Sequence, residues 1–308
     1  MSEPGRPEAD VAEAERASAT VREFSIQPVG PFSLQESATF GFGQRGGRPF
    51  DGTMRLAFCL DGYREQVGVV LRQDDSGVHA QVQGSADLDA VEGQVARVLS
   101  LDHDGDAFMA VGQRDPVVAR LLAVAPGLRP PLFHSPYEAA AWSVLSARRP
   151  AAQMMALRSR LSETHGHRFT LAGERAAAFP LPSQLLDVDE FPDLPAVKLA
   201  RLHGVAAAAR DGLLDADRLR ALTAEHASTE LQHLAGIGAF YSELILVRAT
   251  GHADLLPTNE PTLLGLVADL YSLPAPPGPE QLAEIAEPWR PFRTWVSVLI
   301  RAAARRLP

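Results

Sequence analysis

Cysteine is almost absent from this sequence of 308 residues, since Cys59 is the single one. One cysteine cannot form an internal disulfide, a zinc site built from thiolates or an iron–sulfur cluster that needs four thiolates. Long apolar runs are also missing, because no stretch reaches the roughly 18 apolar residues that a transmembrane helix requires. The N-terminal segment lacks the basic and apolar regions of a signal peptide. We therefore expect a cytoplasmic protein that does not contact a membrane.

Lysine is as scarce as cysteine: Lys198 is the only lysine among 29 basic residues. The formal net charge of −9 argues at first against a polyanionic partner. The acidity is local, however. Residues 1–125 hold 11 arginines against 19 acids, a balance of −8, whereas residues 126–308 hold 18 basic residues against 19 acids, a balance of −1. The second half of the chain is thus close to neutral.

Composition changes along the chain and predicts three regions. Residues 1–21 are rich in Ala, Glu and Pro, which is typical of a disordered tail. Residues 22–125 begin with short β-like runs broken by glycine and continue with helical spacing, which predicts a small antiparallel sheet within an α+β domain. The runs are FSIQPVG, ATFGFGQ, TMRLAFCL, QVGVVLRQ and VHAQVQG. A stretch rich in Pro and Gly, 126–131, then opens an all-helical domain, 126–308, without comparable strand signals.

No segment has the residue spacing of a common metal site. The acidic run 102–106 has glycine in its fourth position and Gln113 in its twelfth, where a calcium-binding EF-hand loop requires glycine sixth and glutamate twelfth. The nine histidines include no H-E-x-x-H pair. We therefore predict no metal and no cofactor.

The most informative segment is 231–250, in which two amphipathic helices flank a tight turn around Gly236-Ile237-Gly238-Ala239. The two glycines allow a sharp turn and close approach of a partner, while free N–H groups at the start of the second helix point outward. Such a group of amides can bind a phosphate. A helical hairpin in which glycine is only a cap is the alternative, and the spacing by itself does not decide between the two.

The same segment resembles the hairpin of the helix-hairpin-helix DNA glycosylase superfamily, and the stretch after it, 251–260, is similar to that of the 3-methyladenine DNA glycosylase II branch. Other parts of the chain resemble this branch in the same order. They are Ser-Pro-Tyr-Glu-Ala-Ala-Ala-Trp at 135–142, Phe-Pro-Leu-Pro-Ser-Gln-Leu at 179–185 and Pro-Trp-Arg-Pro-Phe-Arg-Thr-Trp at 288–295. The resemblance spans nearly all of 22–308 and implies a small sheet domain followed by a helix-hairpin-helix domain.

The resemblance also implies a catalytic carboxylate that stabilises an oxocarbenium-like sugar. Glu260 lies close to the family's Asp, although a strict count from Pro257 reaches the uncharged Asn259. A carboxylate that only stabilises a helix start is the structural alternative for Glu260. Glycosylases that also cut the strand have a lysine just after the hairpin, where this chain has Phe240, so Lys198 is not in that position and a monofunctional enzyme is expected.

An extruded base needs a pocket of aromatic faces, and an inserted side chain fills the gap that the base leaves. The pocket candidates are Trp142, Phe240, Tyr241 and Trp295, each of which is alternatively a core residue. Leu145 or Arg148 is the candidate wedge, and Arg148 and Arg149 are candidate phosphate ligands. The family's wedge residues are replaced here, and pocket aromatics appear as Leu244 and Arg301.

Together these observations predict a monomeric base-excision repair glycosylase that hydrolyses the N-glycosidic bond of alkylated bases of the 3-methyladenine type in duplex DNA. One alternative is a DNA-lesion or DNA-structure binding protein that kept the fold and lost the catalytic Asp. A helical protein-interaction module is a third hypothesis, favoured by the low basic charge.

Overall fold

A four-stranded antiparallel sheet begins the fold. The computed structural model describes residues 22–41 and 49–307, so the predicted tail at 1–21 lies outside the described residues. The strands are β1 (Arg22–Ile26), β2 (Met54–Cys59), β3 (Gln66–Asp74) and β4 (Gly77–Gln83), in the order β1-β4-β3-β2. Alternate residues of β2, Met54, Leu56 and Phe58, are buried, as a strand with one face on a core requires.

One predicted strand is wrong. Part of the run ATFGFGQ lies in helix α1 (Leu34–Gly41), and its remainder, 42–44, lies outside the described residues. The helix begins after Ser33, whose hydroxyl accepts the Glu36 N–H at 3.2 Å. A serine followed three residues later by glutamate is a common helix start, and this local signal outweighs the β-like alternation that follows it.

Helices form most of the remaining chain. The α-helices are α2 (Leu88–Val98), α3 (Gly105–Met109), α4 (Pro116–Val124), α5 (Pro136–Ser146), α6 (Ala151–His165), α7 (Pro182–Leu186), α8 (Ala196–Arg210), α9 (Ala216–Ala221), α10 (Ala224–Gln232), α11 (Ala239–Ala249), α12 (Pro261–Leu270), α13 (Pro279–Ile285) and α14 (Arg293–Ala303). Short 3₁₀ segments span Ala110–Gln113, Glu287–Trp289 and Ala304–Arg306. In the described residues no helix is both long and apolar enough to cross a bilayer.

The helix starts follow the Asp, Ser, Thr and Pro residues of the sequence. Six helices begin at an N-cap residue whose side chain accepts a backbone N–H group of the first turn. These residues are Asp87 for α2, Asp104 for α3, Asp115 for α4, Ser135 for α5, Asp215 for α9 and Thr223 for α10. Proline occupies the first helical position of α4, α5, α7, α12 and α13, where its missing N–H costs nothing. The predicted helical region is therefore confirmed, with one exception.

The exception is a β-hairpin within the predicted all-helical domain. Strands β5 (Arg168–Leu171) and β6 (Glu174–Ala177) pair through the two-residue turn Ala172-Gly173, and both turn residues have positive φ. This is the turn geometry that tight hairpins favour. Phe169 and Leu171 pack on β3 beside Val70, so the hairpin covers the face of β3 opposite to the one that carries Val69 and Leu71.

Three larger hydrophobic cores, in addition to the small cluster around Val70, hold these elements together. The first lies between the sheet and α2. The second lies among α5 to α11. The third joins Phe108, Val118 and Leu121 of α3 and α4 to Trp295 and Leu299 of α14. The third core thus contains residues from both sides of the predicted boundary between residues 125 and 126, because α3 and α4 pack against the last helices of the chain.

Candidate active site and nucleic-acid interface

A hairpin between α10 and α11 exposes the start of a helix. Gly236 adopts a φ of +96°, and Ile237 is buried, with its N–H donating to the Leu234 carbonyl at 2.9 Å. Gly238 is the N-cap of α11, and both Gly238 and Ala239 are exposed. Because the first N–H groups of a helix lack an intrahelical acceptor, α11 presents donors and a positive dipole end at an open surface. The predicted exposed helix start is thus present, and its binding of a phosphate stays a prediction.

Helix α11 also fixes the segment that contains the predicted catalytic position. The Glu243 carboxylate accepts the Thr258 N–H at 2.7 Å and the Asn259 N–H at 2.9 Å. It also accepts the Thr258 hydroxyl at 3.2 Å. Glu243 follows Ala239 by four residues, about one helical turn or 6 Å along the axis. The hairpin and residues 258–260 are therefore held by one rigid helix.

Glu260 is the N-cap of α12. Its carboxylate accepts the Leu263 N–H at 2.6 Å and the Thr262 N–H at 3.3 Å, and Arg301 Nε of α14 lies 3.4 Å from Glu260 Oε2. The Glu260 side chain is 22% exposed and that of Arg301 is 41% exposed. The helix-start alternative for Glu260 is therefore present in the structure, and one side of the carboxylate remains open to solvent.

Helix α14 positions the chain on the other side of this segment. The Thr294 hydroxyl accepts the Leu255 N–H at 2.8 Å, and the Thr294 N–H donates to the Ala253 carbonyl at 2.9 Å. Asp254 receives Arg293 Nε at 2.8 Å and Arg290 Nη1 at 2.9 Å. Asp254 is thus a structural carboxylate that joins the segment to the start of α14.

Three of the predicted aromatic residues lie along α5 and α11, which pack together. Trp142 is half-buried, and its ring lies 5.5 Å from that of Phe133. The Tyr241 and Ser146 hydroxyl oxygens are 3.3 Å apart. The Tyr241 ring lies 5.2 Å from the Phe240 ring, and Phe240 is 38% exposed. Phe240 and Tyr241 directly follow the hairpin, whereas Trp142 lies beside Phe133, whose N–H donates to the Arg248 carbonyl near the other end of α11. All three remain predicted contacts of a base.

Trp295 was predicted wrongly as a pocket residue. It is 2% exposed and packs between Phe108 and Phe292 at ring distances of 5.0 and 5.2 Å. The His103 ring adds an edge contact at 5.5 Å. Trp295 is therefore a core residue, which is the structural alternative that its apolar neighbours in sequence allowed.

The wedge prediction is wrong for Leu145, because this side chain is fully buried among α5 to α11. Arg148 is exposed and adopts a φ of +54° in the turn after α5. Unlike Leu145, it therefore lies at the surface. Arg149 is partly buried and donates from Nη2 to the Asp193 carbonyl at 2.9 Å. The structure thus keeps both arginines as candidates for contact with DNA.

Lys198 lies on α8, away from the position that follows the hairpin. Its Nζ donates to the carbonyls of Leu145 and Ala147, each at 2.8 Å, and so caps the end of α5. Burial lowers the pKa of Lys198, and the charges of Arg149 and Arg201 lower it further. Across residues 22–41 and 49–307, no three His, Cys, Asp or Glu side chains are placed to hold a metal ion.

Glu243 is the functional candidate that sequence analysis missed. Its only signal is an acidic residue inside the otherwise apolar run of α11, and spacing cannot tell such a residue from an exposed one. Its role depends on the fold of residues 257–259 back onto α11, which no local pattern encodes.

Comparison with known proteins gives relatives of low identity, and no family model matches the chain. DNA-3-methyladenine glycosylase of Bacillus subtilis is 22% identical over 205 residues, which cover 64% of this chain and 66% of the relative. A probable bifunctional transcriptional activator/DNA repair enzyme AlkA of Mycobacterium tuberculosis is 26% identical over 223 residues, 68% of this chain and 42% of the relative. The chain therefore spans just under two thirds of the first relative and less than half of the second.

Solved structures share the fold over most of the chain. The 3-methyladenine DNA glycosylase of Archaeoglobus fulgidus has a TM-score of 0.74 at 19% identity and covers 92% of this chain and 98% of its own. The 8-oxoguanine glycosylase/lyase of Clostridium acetobutylicum, solved with double-stranded DNA, has a TM-score of 0.69 at 16% identity, with 89% and 92% covered. The resemblance inferred from the motifs is thus confirmed: the chain has the fold of the helix-hairpin-helix DNA glycosylases and is similar in sequence to 3-methyladenine DNA glycosylases.

Proposed function

We propose that this protein is a DNA glycosylase that removes alkylated bases from duplex DNA by hydrolysis of the N-glycosidic bond. The fold and the names of the sequence relatives support the general class. The specific support comes from the site. Helix α11 exposes backbone N–H groups at its start, and about one turn later its Glu243 binds the segment that leads to Glu260. This spacing supports the proposal that a carboxylate lies close to the sugar that follows a bound backbone phosphate.

In the proposed reaction, the hairpin amides of Gly238 and Ala239 bind a phosphate of the DNA backbone. The damaged base leaves the stack and contacts the aromatic side chains between α5 and α11. The bond between C1′ of the sugar and the base nitrogen then breaks, and its electron pair leaves with the base. The electron pair neutralises the positive charge that alkylation puts on the base, so the base leaves as a neutral molecule. Water adds its oxygen to C1′ and releases its proton to solvent. Glu260 stabilises the positive charge that develops on the sugar.

Glu260 already has three donors around it, and these donors determine how it can act. The N–H groups of Thr262 and Leu263 fix the orientation of the carboxylate, which is the preorganisation that electrostatic catalysis needs. The same donors and Arg301 spread its negative charge, which weakens its stabilisation of a cation. We therefore propose a slow glycosylase in which Glu260 serves both as helix cap and as carboxylate.

A monofunctional reaction is part of the proposal. The one lysine, Lys198, donates to two helix carbonyls on α5, and Phe240 occupies the position that follows the hairpin. An amine engaged in this way does not attack a sugar carbon, so water is the proposed nucleophile. Borohydride added during turnover should therefore trap no lysine adduct on DNA.

The deciding experiment measures base release from alkylated duplex DNA by the wild type and by Glu260→Gln, with abasic sites scored by alkaline cleavage. Gln keeps an oxygen for the helix N–H groups and removes the charge. Glu280→Gln is the matched control, because Glu280 lies in the first turn of α13 and is exposed. We expect release by the wild type and by the control, and a loss of at least about 100-fold in Glu260→Gln, the scale of one lost electrostatic contact in a transition state.

A second candidate function is a DNA-structure binding protein without catalysis. It is favoured by the uncharged Asn259 at the strict family position and by the capping bonds of Glu260. If no protein in the series releases a base while all of them bind duplex DNA in a salt-dependent way, this second function replaces the first.

A further inference from the structure

A group of basic side chains lies where α8 meets the end of α5, and one member of the group contacts the hairpin. Lys198 and Arg201 lie one turn apart on α8, and Arg148 and Arg149 lie in the turn that Lys198 caps. We call these four residues the α8 basic cluster. They come from two parts of the sequence that are about 50 residues apart, so their proximity is a product of the fold and was not visible in the sequence.

Arg201 directly joins this cluster to the hairpin. A Cβ placed on Gly236 would lie 3.1 Å from Cδ and 3.4 Å from Nη1 of Arg201. The arginine stem therefore packs over the glycine turn, and its guanidinium lies at the edge of the surface where the N–H groups of α11 open to solvent. Only glycine at 236 allows this contact, because its φ of +96° disfavours any side chain.

The four side chains form no ion pair with another described residue. In the described part of the chain, no carboxylate lies within ion-pair distance of Arg148, Arg149, Lys198 or Arg201, although ion pairs are common elsewhere. Burial lowers the pKa of Lys198, and the charges of Arg149 and Arg201 lower it further because neighbouring cations repel its positive charge. The Asp193 carboxylate, whose backbone carbonyl accepts Arg149, pairs with Arg160 instead. Grouped like charges cost free energy, so an anion from outside the chain would stabilise this cluster.

We propose that Arg201, supported by Lys198 and Arg149, binds a backbone phosphate of DNA next to the phosphate held by the hairpin amides. The planar guanidinium of Arg201 can donate two parallel hydrogen bonds to phosphate oxygens. Arg201 is thereby a phosphate-binding residue outside the hairpin. This inference rests on the proposed function insofar as DNA is the ligand, but it does not require that a base is released.

The test is the salt dependence of binding to an undamaged duplex oligonucleotide, followed by fluorescence anisotropy between about 50 and 200 mM salt. Each phosphate contact contributes about 0.9 to the slope of log affinity against log salt. Arg201→Gln should therefore weaken binding and lower the slope by about 0.9. Arg201→Lys, which keeps the charge, should retain most of the slope.

Arg210→Gln is the matched control, since Arg210 is an exposed residue at the far end of α8 and pairs with Asp211 at 3.6 Å. Its slope should equal that of the wild type. Equal slopes for Arg201→Gln and wild type, with both proteins folded by circular dichroism, would overturn the inference, as would the absence of duplex binding by the wild type. Base release from alkylated DNA is measured separately, so its failure contradicts the proposed function while a lowered slope still supports the phosphate contact.

Discussion

Glu138 is a carboxylate buried at the point where the sheet meets the helices. It is 2% exposed and accepts His134 Nδ1 at 3.1 Å, Arg158 Nη2 at 2.7 Å and the Cys59 N–H at 3.2 Å. Burial by itself raises the pKa of Glu138, but the charge and hydrogen bond of His134, the Arg158 guanidinium and the Cys59 amide outweigh it. The pKa of Glu138 is therefore below its usual value of 4.5.

Replacing Glu138 by Gln should lower the free energy of unfolding by about 3–5 kcal/mol, the cost of removing one partner from a buried charged network. The change removes the negative charge that the Arg158 guanidinium and the His134 ring contact. Chemical denaturation at neutral pH measures the loss. Glu163→Gln on α6 is the control, because Glu163 is exposed and its substitution should change stability by no more than about 0.5 kcal/mol.

The same network predicts a dependence on pH. A carboxylate whose pKa is lower in the folded protein than in the unfolded chain stabilises the fold above the unfolded value, and this contribution disappears as the pH falls through the folded value. The difference in stability between wild type and Glu138→Gln should therefore be constant near neutrality and narrow below about pH 4.5. A difference that stays the same down to pH 3 would contradict the assigned direction of the pKa shift.

At the level of elements, the hairpin depends on two glycines that do different things. Gly236 has a φ of +96° and lies against the Arg201 side chain, whereas Gly238 has a φ of −100° and open space around a Cβ placed on it. Gly236→Ala should therefore cost about 1–3 kcal/mol through backbone strain. Gly238→Ala should cost less, about 1 kcal/mol, because alanine is only a poorer N-cap than glycine. Thermal and denaturant unfolding of both variants measures the difference, and equal losses would contradict it.

Elements were predictable from sequence where a local signal controls the backbone. The Asp, Ser and Thr caps and the prolines at first helical positions mark helix starts, and the glycines mark the hairpin. The strand predicted at 38–44 failed because apolar alternation is weaker than the Ser33 cap. The β5–β6 hairpin was missed since its strands have only four residues each.

Side-chain roles were less predictable than elements. Whether Leu145 and Trp295 face a groove or a core depends on which helices pack over them. The residues next to them in sequence do not distinguish the two environments. Glu243 and Arg201 contact residues that are distant in sequence, so the spacing of residue types could not predict these contacts. The sequence therefore identified the hairpin and the Glu260 segment, but not the side chains that support them.

At the scale of the whole molecule, the first 125 residues help to position the site. Arg97 of α2 donates to the Ala249 carbonyl at the end of α11 at 2.7 Å, and Gln94 donates to the His134 carbonyl at 3.0 Å. Asp115 at the start of α4 accepts Trp289 Nε1 at 2.9 Å, which fixes α4 to the turn before α14. The helix that carries the hairpin thus ends on a side chain from the sheet region.

A fragment of residues 126–308, the predicted helical domain, should therefore fail to form a stable fold. It loses Phe108, Val118 and Leu121 from the third core, and each buried side chain of this size contributes about 2–5 kcal/mol. Their sum is comparable to the roughly 5–15 kcal/mol that stabilises a whole domain. We expect the fragment to lack a cooperative unfolding transition and near-ultraviolet circular dichroism, whereas the full chain has both. A fragment that unfolds cooperatively and keeps its near-ultraviolet circular dichroism would mean that α3 and α4 contact this core but contribute little to its stability.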